Sequence, residues 1–222
     1  MPKREKAPEP KLLELIRGHL SSSVLGDVMD RKGLRRQFLP PAIRALSPEM
    51  KVVGRAMPVR EQDSEGEGDF GLMFRALDEL EPDEVYICTG ASLSYALWGE
   101  LMSTRARALG AAGAVLDGFH RDTTGILAVG LPVFSAGPYA QDQRGRGRVT
   151  DYRCEIAFAN GAKVSPGDII VGDLDGVLVI PHAALEEVVR LAVEKLEGET
   201  QVRRLIEKGE ATQAIFDRTG IM

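Results

Sequence analysis

Three side chains in this sequence are spaced to do chemistry together: Glu100 is followed, after twenty intervening residues, by Arg121 and Asp122. A guanidinium pairs with a carboxylate or enolate oxygen through two parallel N–H bonds, a fit that an ammonium cannot copy. The neighbouring carboxylate is a hard oxygen ligand of the kind that Mg2+ or Mn2+ accepts, with water filling the remaining positions. The run Trp98-Gly99-Glu100 reads as a helix start. There the first backbone N–H groups lack intrahelical partners, and the positive end of the helix dipole favours an anion. The combination suits a small carboxylate-bearing substrate and a hard metal ion.

A helix and a strand must bring these groups together. Leu101, Met102, Ala106, Ala108 and Leu109 recur at helical spacing, whereas Ala114-Val115-Leu116 is a short apolar run bounded by Gly113 and Gly118, as in a buried strand. The crossover between them places the loop before the helix beside the loop after the strand. Upstream, residues 1–10 read as a disordered lead and residues 11–17 as an amphipathic helix. Ser21, Ser22 and Ser23 are N-cap candidates for a second helix carrying Val24, Leu25, Val28 and Met29. A strand over residues 52–59 is expected to break at Gly54, with a polar loop over 60–69, a helix over 71–80 and a strand over 84–88. Downstream, residues 131–134 read as a strand and 137–150 as a long polar segment. Residues 153–158, 162–164, 168–171 and 177–180, separated by Asn-Gly, Pro-Gly and Asp-Gly turns, read as a β meander. From about residue 183 the pattern is helical, and a terminal arm of this length is expected to pack on a neighbouring subunit.

The totals exclude several classes of function. A chain of 222 residues is long enough for one well-buried core, and no apolar run approaches the ~20 residues of a membrane span. The net charge of -5 gives no broad attraction to nucleic acid or anionic lipid, so neither is an expected partner. The first ten residues lack the apolar run of a secretory signal, and Cys88 and Cys154 sit in apolar strand-like runs without metal-ligand spacing, which together read as a cytoplasmic protein with two buried thiols. Other motifs are weaker than they look. Gly66-Glu67-Gly68-Asp69-Phe70-Gly71 lacks the apolar strand that a dinucleotide site needs in front of it. Asp173-Leu174-Asp175-Gly176 lacks the closing Glu of a calcium loop and reads as a hairpin turn. Arg144, Arg146 and Arg148 read as a solvated loop or an oligomer contact, and His19 and His182 as surface or capping residues. His120 is singled out only by adjoining Arg121. Ser21 to Ser23 lack the setting of a nucleophile.

The run from Leu97 to Asp122, with its acidic residue, twenty spacers and Arg-Asp, closely resembles the RraA-like superfamily, which contains class II 4-hydroxy-4-methyl-2-oxoglutarate aldolases and ribonuclease E inhibitor proteins. Similarity extends over most of the chain, from Ser23-Val-Leu-Gly-Asp27 to Asp173-Leu-Asp-Gly-Val-Leu-Val-Ile-Pro181. The resemblance implies an α/β fold, an αββα-type sandwich of the swivelling β/β/α kind with N- and C-terminal helical arms. Residues 11–222 would form a single domain, assembled as a homotrimer or a dimer of trimers with the active site between subunits. It implies a metal-dependent lyase that cleaves a 4-hydroxy-2-oxo acid to pyruvate and a carbonyl product, with oxaloacetate decarboxylation as a related activity. By the same resemblance Asp122 holds Mg2+ or Mn2+, and Arg121 and the backbone of Gly99, Glu100, Leu101 and Met102 bind the keto acid; Glu100, Arg121 and Asp122 are the expected catalytic residues, with a metal-bound or Glu100-linked water expected to take the 4-hydroxyl proton. The established aldolases carry a further acid a few residues after the Arg-Asp pair, whereas Asp122 is followed by Thr-Thr-Gly-Ile-Leu. The alternative is a non-catalytic regulator that docks on a ribonuclease or another protein.

Overall fold

Two amphipathic helices open the described part of the chain, which in this computed structural model comprises residues 9–66 and 70–221. α1 (Glu9–His19) buries Leu12, Leu13 and Ile16. α2 (Ser22–Arg31) begins where the Ser21 hydroxyl accepts from the Val24 N–H at 3.3 Å, a cap whose loss typically costs about 1 kcal/mol. The first eight residues of the expected lead, and residues 67–69 of the Gly66–Gly71 motif, lie outside the described residues.

A short β1 (Arg44–Ala45) precedes β2 (Val52–Asp63), the long strand that organises the sheet. β2 does not break at Gly54. A Cβ there would lie 2.3 Å from the Asp83 carbonyl oxygen, so the glycine serves a close approach of two backbones. Nor does β2 stop at residue 59, because its second half finds a partner of its own. Its first half pairs antiparallel with β11 (Ile169–Asp173), and its second half, from Val59, pairs with β8 (Gly147–Tyr152). Pro58 falls in the gap between these partners. Its carbonyl accepts from the Arg153 N–H at 2.8 Å, so its ring nitrogen faces the same edge, where no ladder bond is lost.

The other elements are α3 (Gly71–Asp78), β3 (Glu84–Thr89), β4 (Ala96–Trp98), α4 (Glu100–Ala108), β5 (Gly113–Leu116), β6 (Phe119–His120), α5 (Thr123–Val129), β7 (Val133–Ser135), β9 (Ile156–Ala157), β10 (Lys163–Val164), β12 (Gly176–Ile180), α6 (Leu185–Glu207) and α7 (Thr212–Thr219). β2, β3, β5 and β7 are mutually parallel and are laid down in one direction across the sheet. Crossovers of one hand therefore put α3, α4 and α5 on the same face. The expected meander divides instead into two hairpins: β9 with β10 forms a separate ribbon, whereas β11 with β12 joins the main sheet.

Among the described residues that sheet has eight strands, in the order β1-β7-β5-β3-β2-β11-β12 with β8 beside β2. Residues 37–45 run from the free edge of β12, where the Leu39 N–H reaches the Val177 carbonyl at 2.9 Å, to β7, where Ala45 pairs with Phe134, so the sheet nearly closes on itself. Strand alternation sorts the core. Val52, Ala56, Val85, Ile87, Val115 and Phe134 fill the inside, plugged by Ile156 and Phe158 of the ribbon. On the outside, Met57, Val59, Tyr86 and Leu116 lie beneath α3 and α4, and Val53, Ile169, Val171 and Leu178 lie beneath α1, α2 and α6. The result is a mixed α/β architecture, as the sequence leads one to expect. The apolar stripe of α6, Leu185, Val188, Val189 and Ala192, is covered by α1 and α2 of the same chain. No helix among the described residues is long and apolar enough to cross a membrane.

Candidate active site

The carboxyl ends of parallel strands leave a crevice into which loops deliver side chains, and the chemistry-bearing residues gather there. β4 leaves the end of β3, β6 leaves the end of β5, and the two pair in parallel with Trp98 opposite His120. The Arg121 N–H donates to the Trp98 carbonyl at 2.9 Å. This short ribbon sets the start of α4 directly beside Arg121 and Asp122. Trp98 is itself pinned, its indole N–H donating to the Ser103 hydroxyl at 2.7 Å and its ring lying 5.0 Å from that of Tyr86.

Gly99 caps α4 with extended backbone, and no side chain bonds to the helix start. A Cβ at Gly99 would lie 2.7 Å from Asp122 Oδ2, so a side chain there would displace the carboxylate. Asp122 adopts the left-handed conformation, φ 57° and ψ 39°, at the head of α5. That bend turns the carboxylate back over Gly99. Arg121 lies between two acids, with Nε 3.5 Å from Asp122 Oδ2 and Nη1 3.4 Å from Asp142 Oδ1, all three side chains being roughly half exposed.

These groups share one cavity of about 260 Å³. Its lining combines Arg121, Asp122 and Asp142, and Gly99 at the helix start, with the apolar Phe70, Phe74, Leu101 and Met102. Of the residues named from sequence, Gly99, Leu101, Met102, Arg121 and Asp122 thus line a single hollow. Glu100 begins α4, but its side chain lies against α5, where a Cβ on Gly125 would meet its Oε2 at 2.3 Å, and it is not part of the lining.

The organised stretch lies within the region that matches a known sequence profile, RraA-like: Aldolase/RraA, over residues 22–179. The chain belongs to the RraA-like family. A relative from Halalkalibacterium halodurans, a putative 4-hydroxy-4-methyl-2-oxoglutarate aldolase, is 29% identical over 201 residues, which cover 90% of this chain and 91% of the relative. Protein DlpA of Legionella pneumophila is also 29% identical, over 90% of this chain, which spans only 32% of that longer protein. The crystal structure of Streptomyces coelicolor RraAS2, described as an unusual member of the RNase ES inhibitor family, shares the fold with a TM-score of 0.79, covering 89% of this chain and 98% of that one at 24% identity. Relatives of an RraA-like chain therefore include both putative aldolases and inhibitors of RNA processing.

Two polar residues of the cavity of this RraA-like chain, Asp142 and Gln143, have no signal in the sequence. They sit in the long polar segment over residues 137–150. That segment is tied in by backbone bonds to both site strands: the Ala96 N–H donates to the Gln141 carbonyl at 2.8 Å and the His120 N–H to the Gly137 carbonyl at 3.0 Å. Pairing between positions far apart in sequence leaves no local signature. The Arg144 guanidinium lies 5.6 Å from the Phe70 ring centroid, and Arg146 donates to backbone carbonyls of Asp142 and Arg144, so part of the basic cluster is spent on holding this turn. His120 is buried beside the cavity, not in its lining, with its ring nitrogens 2.7 Å from the Ser135 hydroxyl and 2.9 Å from the Thr123 hydroxyl. Burial lowers its pKa, which favours the neutral ring, and its two hydroxyl contacts join β7 to the start of α5. His182 contacts Glu9 at the surface, and Cys154 is only partly buried, unlike Cys88.

Among the described residues no group of three or more His, Cys, Asp or Glu side chains is placed to hold a metal. The half-exposed Asp122 carboxylate over Gly99, with open space beside it, still fits a cation that keeps most of its water, as Mg2+ does with one or two carboxylates.

Proposed function

We propose that this cavity binds a small 2-keto acid and that the protein is a divalent-metal-dependent lyase, releasing pyruvate from a 4-hydroxy-2-oxo acid by retro-aldol cleavage and acting on oxaloacetate by the same electron flow. The observation that carries the reading is convergence: the Arg121 guanidinium, the Asp122 carboxylate and the uncapped start of α4 face one hollow. Asp122 would hold Mg2+ or Mn2+. When bound, such an ion supplies an electron sink for the 2-keto group.

The chain's own groups account for the rest. The Asp122 and Asp142 carboxylates lie 3.5 Å from Nε and 3.4 Å from Nη1 of Arg121, keeping the guanidinium at the cavity while leaving N–H donors for a substrate carboxylate or the enolate oxygen that would form as the C3–C4 bond breaks. The free amides at the start of α4 receive the other substrate oxygens. Within this chain Asp142, not the outward-turned Glu100, is the carboxylate on the cavity wall available to take the 4-hydroxyl proton. Leu97 and Trp98, both buried, close the floor against water. Assembly into a homotrimer or a pair of trimers belongs to the same reading, since Leu101 and Phe74 at the mouth are largely exposed in the single chain.

The test is pyruvate release, read by coupling to lactate dehydrogenase, from a 4-hydroxy-2-oxo diacid and from oxaloacetate. Turnover should need added Mg2+ or Mn2+, stop with chelator, and be abolished in Arg121→Ala and Asp122→Ala. Near-normal rates in either variant would refute the assignment, and a folded wild-type protein inert to both substrates would favour the regulator that docks on another protein.

A further inference from the structure

Beneath the cavity lies a carboxylate that the proposed chemistry does not use. Glu61 continues the outer face of β2 after Met57 and Val59, just past the point where the β2–β8 register shifts, and is only 3% exposed. One carboxylate oxygen accepts from the Gln143 side-chain amide at 2.8 Å; the other has no partner, nor has the buried Tyr86 hydroxyl. Gln143 is equally buried and lines the cavity. Its backbone carbonyl accepts from the N–H groups of Arg146 and Gly147 at 2.9 and 3.1 Å, closing the turn that carries Asp142. A buried charge is a poor source of stability, because a well-packed apolar residue of similar volume is often as good or better. Its presence at this place calls for a task other than stability.

We propose that Glu61 is a positioning residue of the active site: through Gln143 it ties the turn at residues 141–147 to the sheet and thereby sets Asp142 against Arg121. The side chain touches neither Arg121 nor the cavity, so it acts only through its neighbour. The kinetic arm of its test rests on the keto-acid reading above, whereas the structural arm does not.

The experiment compares Glu61→Leu, which removes the acceptor while filling the space, with Glu61→Gln, which keeps an acceptor oxygen for the Gln143 amide, and with Gln143→Leu. Amide hydrogen exchange in the intact protein should quicken about tenfold at residues 142–147 in Glu61→Leu and Gln143→Leu, with β3 and β5 unchanged, and Glu61→Gln should restore protection. The double Leu variant should be no worse than either single one, because both cut the same tie. In the pyruvate assay kcat/KM should fall by about tenfold in Glu61→Leu and recover in Glu61→Gln. Wild-type exchange in the turn of Glu61→Leu, or additive effects in the double variant, would overturn the tether. A tether that holds without any kinetic consequence in an active enzyme would overturn the positioning role. An inert wild type would count against the lyase reading, leaving the exchange arm to decide the tether.

Discussion

Replacing Glu61 by glutamine should stabilise the protein in mild alkali and lose that advantage in mild acid. Burial pushes the Glu61 carboxyl from its ordinary value of 4.5 up to about 7, against the pull of the Gln143 hydrogen bond. At about 1.36 kcal/mol per pH unit, that difference corresponds to about 3 kcal/mol. The folded value is raised, so between these two pH values the native chain holds a proton that the unfolded chain has released. The contribution of the group is therefore complete below about pH 4.5, declines as pH rises towards about 7, and is gone above it. The groups facing Glu61 do not blur this window. Tyr86 and Cys88 on β3 are driven up by burial, as is Tyr95 ahead of β4, and all three stay neutral. Asp63, held low by the Ser92 N–H and the Tyr95 hydroxyl, stays charged. Urea unfolding of wild type and Glu61→Gln from about pH 4.5 to about pH 8 isolates the one proton, since every other titration cancels in the difference. The variant's advantage should grow by about 3 kcal/mol across that range. A gap of constant size would refute the reasoning, because it would show that Glu61 does not change its charge state on folding there.

Other perturbations follow from single contacts. Gly99→Ala is compatible with the extended backbone but drives a methyl to 2.7 Å from Asp122 Oδ2, so kcat/KM should fall at least about tenfold while the melting temperature barely moves; unchanged kinetics would show that the Asp122 carboxylate is free to shift. Arg153→Ala removes two bonds, at 2.7 and 3.0 Å, from the nearly buried Glu84 carboxylate, leaving it the Glu81 N–H at 2.9 Å. Unfolding free energy should drop by about 3 kcal/mol in denaturant titration, and a drop under about 0.5 kcal/mol would mean that solvent replaces the guanidinium.

The central crossover was legible because its signals are local. Helical spacing over residues 101–109, an apolar triplet between glycines and the Arg-Asp pair after it sufficed to place α4, β5 and the site residues on their ends. Ser21 as a cap and Asp173–Gly176 as a hairpin turn were readable for the same reason. What escaped depends on partners distant in sequence. β2 runs on through Gln62 and Asp63 because β8 lies alongside, and no feature of the hydrophilic residues 60–63 announces that. Gly54 looked like a strand breaker because the approach of the Asp83 carbonyl cannot be seen from either segment alone. α5, with Thr123, Thr124 and Gly125 in its first turn, has poor helix formers and is held by tertiary contact. Asp142 belongs to the same class: it follows Asp122 by twenty residues, and only the pairing of residues 137–142 with β4 and β6 brings the two acids to one arginine.

The backbone at Asp122 carries a consequence for which substitutions the position can accept. A left-handed residue without the small, self-bonding side chain of Asp or Asn, or the freedom of Gly, incurs about 1 kcal/mol of steric cost. Glutamate would keep the charge yet carry that penalty and reach one methylene too far over Gly99. The length of the acid at this point is dictated by the main chain before any ligand arrives, and asparagine, which suits the same dihedral angles, is the neutral replacement through which the charge alone can be interrogated.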